Sequence, residues 1–128
     1  MKFLLDTHAF IWWTINTTQL SPIASALLRD PQNEPLLSLV SLWEIQIKLQ
    51  IGKLHLNQPL AFIVAEQQRI NRLRLLPLTA DHIYALSPLP LHHKDPFDRL
   101  LIAQAITENL PLVSNDTKFP AYPVQLVW

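Results

Sequence analysis

An α/β fold is what the sequence predicts: a three-layer α/β/α sandwich around a mainly parallel sheet of four to five strands. Three observations carry that expectation. Short apolar runs, which read as buried strands, alternate with stretches of helical periodicity along the chain. Polar caps followed by proline, at Ser21-Pro22 and Asp95-Pro96, mark two helix starts. The chain has 128 residues, 49% of them hydrophobic, which is enough to bury a full core, so one domain over residues 1–128 without a linker is expected.

Lys2 to Leu5 forms the first apolar run and ends at Asp6, with Thr7 placed to cap a helix from His8 to about Ile15. A second helix opens at Ser21-Pro22, where Ile23, Leu27 and Leu28 form its stripe and Asp30-Pro31 its end. Leu36 to Leu39 is the second strand. Ser41 then opens a helix to about Gln50, with Leu42, Ile45 and Leu49 on one side and Gly52 as its terminator. Pro59 to Ile70 reads as a helix, Leu73 to Leu76 as a strand, and Thr79 starts a short helix through Leu86. A proline-rich loop, Ser87 to His93, precedes the helix from Asp95-Pro96 to Asn109. Pro111 to Val113 and Val124 to Val127 supply the last strands.

Composition excludes several functions. Ten basic and ten acidic residues give zero formal charge, so no global field draws in nucleic acid or an anionic membrane. With no cysteine and no tightly spaced histidine pair, a structural zinc site is not expected, and the composition suits a reducing cytoplasm. A single glycine, Gly52, cannot build a phosphate-cradling loop or a dinucleotide fingerprint. The apolar start is too short for a signal peptide, and polar residues from Asn16 to Pro22 interrupt the uncharged stretch after it, so no membrane span is expected.

Four acids stand out by placement. Asp6, Glu44, Asp98 and Asp116 each follow an apolar run or lie in the first turn of an expected helix, and in a parallel sheet such positions converge on one rim. Each has a local explanation too. Asp6 can cap the next helix, Glu44 completes a Ser-x-x-Glu capping box with Ser41, Asp98 suits a helix dipole behind Asp95-Pro96, and Asn115-Asp116 is a common turn pair. Gathered at one rim, the four carboxylates would repel one another unless a cation or protons intervened. Hard oxygen donors without thiolates favour Mg2+ or Mn2+, ions that keep waters and leave room for a phosphate oxygen and a nucleophile.

Four blocks stand out in order along the chain: Phe3-Leu4-Leu5-Asp6-Thr7-His8-Ala9, Val40-Ser41-Leu42-Trp43-Glu44-Ile45, Asp95 to Ala105 (DPFDRLLIAQA) and Leu112-Val113-Ser114-Asn115-Asp116. Together they resemble the PIN-domain family, and within it the VapC-type toxins of bacterial toxin-antitoxin systems. The resemblance spans nearly the whole chain. It implies a Mg2+- or Mn2+-dependent endoribonuclease, usually a homodimer and neutralised by a cognate antitoxin. Asp6, Glu44, Asp98 and Asp116 match the family's acidic quartet. On that basis Asp6, Asp98 and Asp116 are the expected metal ligands, Glu44 the group that orients or deprotonates water, and a 5′-phosphate and a 3′-hydroxyl the expected products. Thr7, Asp95, Arg99, Ser114 and Asn115 are expected to support the ligands or meet substrate.

Phe10, Ile11, Trp12 and Trp13 cover nearly the whole circumference of a helix at about 100° per residue. Another element buries the outer side, or a partner does; the resemblance favours Trp12 or Trp13 as part of an antitoxin groove. His92-His93-Lys94 with Arg99 and Lys118 could form a local cationic rim for RNA phosphates, although solvated surface charge is the more frequent explanation of such residues. Arg69, Arg72 and Arg74 suit a helix C-terminus and need no nucleic acid. Alternatives to a toxin are a PIN nuclease of RNA processing, another metal-dependent phosphoesterase and a non-catalytic RNA- or protein-binding module. Asp6-Thr7-His8 lacks the second aspartate that a phosphoaspartyl hydrolase needs.

Overall fold

Five parallel strands run through the middle of the protein, described over residues 1–128 by a computed structural model. They are β1 (Lys2–Leu5), β2 (Glu34–Ser38), β3 (Arg74–Leu76), β4 (Leu112–Val113) and β5 (Leu126–Val127), in the order β3-β2-β1-β4-β5. All four neighbouring pairs are parallel, with Leu5 opposite both Leu37 and Val113. Six helices connect them: α1 (Thr7–Ile15), α2 (Pro22–Arg29), α3 (Leu39–Gln50), α4 (Leu60–Asn71), α5 (Ala80–Tyr84) and α6 (Pro96–Thr107).

Alternate strand side chains face opposite layers. Phe3, Leu5 and Leu37 pack with Ala9 and Phe10 of α1, Ala24 and Leu28 of α2, Ile45 of α3 and Val64 of α4. Leu4, Leu36 and Leu112 point the other way, onto Leu101, Ile102 and Ala105 of α6 with Phe119 and Tyr122. The three-layer α/β/α sandwich follows directly. Burial of each leucine- or phenylalanine-sized side chain contributes about 1.5–3 kcal/mol, and this core offsets the charge crowding at the sheet's rim.

Strand order sets where that rim is used. The chain steps outward from β1 to β2 to β3, then returns and inserts β4 on the other side of β1. Carboxyl ends of strands part at such a reversal, and ligands of α/β sheets bind there. Asp6 follows β1 and Ser114 follows β4, so the switch point lies between them.

Helix starts resolve or correct the sequence reading in two informative places. Of Thr7 and Asp6, the two caps the sequence allows for α1, it is Asp6 that serves: its Oδ1 accepts the Ala9 N–H at 2.7 Å, and Thr7 is buried in the first turn. Ser38, not Ser41, caps α3 by accepting the Val40 N–H at 3.0 Å. The apolar pair Leu39-Val40 looked like strand continuation but already belongs to the helix. Ser41 and Glu44 therefore form no capping box, and the Glu44 side chain is released for the rim.

Ends of the other helices agree closely with expectation. Ser21 and Asp95 cap α2 and α6, and Thr79 caps α5 in a reciprocal box with His82. Gly52, at φ +74°, closes α3 with the Lys53 N–H on the Lys48 carbonyl at 2.9 Å, a bond that a left-handed residue makes possible. Arg69 pairs with Glu66, and Arg72 donates to the Pro31 carbonyl, so both have structural partners. No helix is long and apolar enough to cross a membrane.

Candidate metal centre

Each acid reaches the rim on a different element. Asp6 closes β1, Glu44 lies in the second turn of α3, Asp98 lies in the first turn of α6, and Asp116 lies two residues beyond Ser114 after β4. One buried bond fixes α3 against α6. The Ser38 hydroxyl, while capping α3, donates to Gln104 Oε1 of α6, and both side chains are fully buried.

Protein groups anchor one side of the carboxylates. Asp6 is held by the Ala9 amide, and the Ser114 hydroxyl also lies against it. Glu44 Oε1 accepts from Thr7 Oγ1 at 2.8 Å and Glu44 Oε2 lies 3.0 Å from Lys48 Nζ, so both of its oxygens have a partner. Asp116 Oδ1 accepts the Lys118 N–H at 2.8 Å, and its own N–H donates to Ser114 Oγ at 3.1 Å. Asp95 Oδ1 accepts the Phe97 and Asp98 amides at 2.8 and 3.1 Å, as a helix cap does.

Electrostatics reports the crowding. Burial, then the charges of Asp95, Glu44, Asp116 and Asp6, push the Asp98 carboxyl up to about 7. Asp6 is also raised, chiefly by burial, against the opposing pull of the Ser114 hydroxyl, the Ala9 amide and His8. A cation placed among these carboxyls would favour their charged forms and draw both back down. With oxygen donors and no thiolate anywhere in the chain, the residues present fit a hard divalent ion.

His93 is the residue that the sequence reading placed elsewhere. Read as solvated surface charge or as part of a cationic rim, it is instead buried, with Nε2 at 2.9 Å from Asp98 Oδ2 and 3.3 Å from Asp116 Oδ2. Arg99 departs from expectation in a similar way. Its guanidinium donates to the carbonyls of Pro90, Leu86 and Leu89 and to the Tyr122 hydroxyl, tying down the loop before α6 instead of facing open solvent. Asn115 is exposed beside the site, and Asp95 acts as cap and as a source of negative charge.

Trp12 and Trp13 sit on α1 against other aromatic rings. Trp13 meets Phe10 edge-on at 6.4 Å, and Trp12 packs between His8 at 5.6 Å and Trp128 at 5.7 Å. Both indoles stay half-buried, so elements of the chain itself cover part of α1's circumference.

Comparison with known proteins agrees with this architecture. The crystal structure of VapBC2 from Rickettsia felis bound to a DNA fragment from its promoter contains a chain that superimposes with a TM-score of 0.70 at 19% identity, covering 99% of this chain and 98% of that one. FitAcB from Neisseria gonorrhoeae gives a TM-score of 0.67 at 20% identity, with 100% and 97% covered. The VapBC-5 toxin-antitoxin structure from Mycobacterium tuberculosis gives 0.61 at 19%, with 98% and 97% covered. No curated protein matches the chain by sequence. The sequence model of the PIN domain matches residues 3–125, nearly the full length. The chain belongs to the PIN domain family.

Proposed function

We propose that this protein is a VapC-type toxin, a Mg2+- or Mn2+-dependent endoribonuclease that works in the cytoplasm as a homodimer and is neutralised by a cognate antitoxin. The observation that carries the reading is the convergence of Asp6, Glu44, Asp98 and Asp116 on one rim, close enough for the other three acids to raise Asp98. A module that only bound RNA would gain nothing from negative charge where phosphate must approach. The toxin assignment draws support from the structural neighbours, which are toxin-antitoxin complexes.

Asp6, Asp98 and Asp116 are the residues that would hold the ion. When bound, it would lower the pKa of a water and offset charge on the phosphoryl oxygens. Glu44, oriented by the Thr7 hydroxyl and the Lys48 ammonium, keeps lone pairs that can accept a proton from the attacking water. Asp95 caps α6 and so fixes the backbone from which Asp98 projects. Hydrolysis in this sense leaves a 5′-phosphate and a 3′-hydroxyl. The half-buried Trp12 and Trp13 are the proposed antitoxin contact.

The test is cleavage of total cellular RNA by wild-type protein and Asp98→Asn, with Mg2+, with Mn2+ and with chelator, followed by 5′-end mapping. Discrete metal-dependent cuts that the substitution removes are expected. Folded, antitoxin-free wild-type protein that makes no cut under any condition would overturn the nuclease reading.

A further inference from the structure

We infer that His93 is a positioning residue that clamps Asp98 to Asp116 through a shared Nε2–H, and that it is not itself a metal ligand. The inference rests on the proposal that these carboxylates bind a divalent ion. Taken by distance alone, His93, Asp98 and Asp116 would pass as a three-residue metal site, since one ligand atom of each lies within 4.8 Å of the others. The hydrogen bonds around the imidazole decide otherwise.

Nδ1 of His93 accepts the Asp95 N–H at 3.2 Å, so its lone pair is in use and the ring's proton sits on Nε2. That proton points into the acidic rim, 2.9 Å from Asp98 Oδ2 and 3.3 Å from Asp116 Oδ2. For Nε2 to bind an ion, the proton would have to leave the ring or move to Nδ1. The second course would set two N–H groups against each other at the partly buried Asp95 amide and break the bond that now joins them.

The ring has no freedom to escape this choice. The backbone N–H of His93 donates to the Tyr122 hydroxyl at 2.7 Å, the ring centroid lies 5.8 Å from that of the tilted Phe119 ring, and only 7% of the residue is exposed. Tyr122 is in turn 3.3 Å from the Arg99 guanidinium that gathers the loop's carbonyls. Loop, C-terminal segment and α6 together aim one donor at two carboxylates that the chain carries 18 positions apart.

This arrangement reverses the usual relation of histidine to carboxylate at metal sites. There a ligating histidine donates its other nitrogen to an outer acid; here the acids would hold the ion, and the histidine donates to them. Asp98 keeps Oδ1 clear of the clamp, and both residues keep further lone pairs for a cation. Removing such an outer partner typically weakens metal affinity by about 10–100-fold.

Nitrogen-15 NMR of the wild-type histidines, without ions and with Mg2+, tests this directly. A His93 ring protonated at Nε2 in both states is expected; protonation at Nδ1 in the ion-free protein, or loss of the Nε2 proton when Mg2+ binds, would overturn the inference. Calorimetric titration with Mn2+ should show His93→Ala binding about 10–100-fold more weakly than wild type, and His93→Gln, whose amide can donate from a similar place, within a few-fold of wild type. Equal affinity in wild type and His93→Ala would also overturn it. If His93→Ala does not fold, the wild-type spectra decide. Wild-type protein that binds neither ion would sink the parent reading of the site, while the ion-free spectrum would still judge the clamp.

Discussion

Thr7 Oγ1 lies 2.8 Å from Glu44 Oε1, a buried hydrogen bond that joins α1 to α3 across 37 positions of sequence. Thr7 Oγ1 is also 3.0 Å from Ser41 Oγ, so the two hydroxyls and the carboxylate form a chain behind the acidic rim. Thr7→Val keeps the shape and removes the donor, leaving a buried carboxylate oxygen short of a partner. The expected cost is about 1–3 kcal/mol in thermal or denaturant unfolding, with cleavage reduced because Glu44 loses its orientation. Thr7→Ser should stay near wild type in both assays. A Thr7→Val protein as stable and as active as wild type would show that the bond matters to neither.

Asp98 gives the protein a pH dependence of definite sign. Its carboxyl is raised from an ordinary 3.8 to about 7, so between those values the folded chain holds a proton that the unfolded chain has released. Stability from this group is complete below about pH 4 and is lost as pH rises towards 7. Asp98→Asn, which cannot charge, should therefore melt higher than wild type at pH 8 without ions, by a margin that narrows as pH falls and closes only below about pH 4. Mg2+ should raise the wild-type melting point most at pH 8 and progressively less towards pH 5, where protons compete for the carboxylate. A Mg2+ effect independent of pH would remove Asp98 from the ligand set.

Arg99 holds the loop before α6 through bonds to three carbonyls and one hydroxyl. A planar fork of donors suits that task and an ammonium does not. Arg99→Lys and Arg99→Ala should both speed amide hydrogen exchange over residues 87–94 and lower stability by roughly 1–3 kcal/mol. Salt dependence of RNA binding should keep its slope, since no phosphate contact is lost. A reduced slope in Arg99→Ala with unchanged exchange would return this residue to the substrate surface.

How far the chain could be read depended on whether a residue's partners were local. The strand Lys2–Leu5 and the Leu36–Ser38 part of the strand Glu34–Ser38 were legible as apolar runs, the latter read as Leu36 to Leu39, and the starts of α2 and α6 as a cap followed by proline. The four acids were legible because position at a strand end or helix start is itself a statement about the rim. Ser38 was missed as the cap of α3 because Leu39 and Val40 continue the apolar run; the pattern gives no sign that the chain has already turned. His93 and Arg99 were misplaced for a different reason. Their partners are Tyr122, Phe119 and backbone carbonyls of the loop, and neither a carbonyl's position nor a contact with the distant C-terminal segment is written in local sequence.

Ser38→Ala tests whether the Ser38–Gln104 link holds the two halves of the site together. The substitution removes the cap of α3 and strands Gln104 Oε1 in a place where both residues have no exposed surface. Cap loss and an unpaired buried acceptor together cost about 2–3 kcal/mol, which corresponds to a melting point lower by roughly 5–15 °C for a chain of this size. Adding Gln104→Leu removes the stranded oxygen, so the double variant should recover part of the loss, the signature of a direct interaction in a double-mutant cycle. Cleavage by Ser38→Ala, measured well below its melting point, should fall because α3 carries Glu44, α6 carries Asp98, and the bond sets the spacing between them. Strict additivity of the two substitutions would mean that the two helices are held in register by the apolar packing of Val40 against α6 and not by this bond.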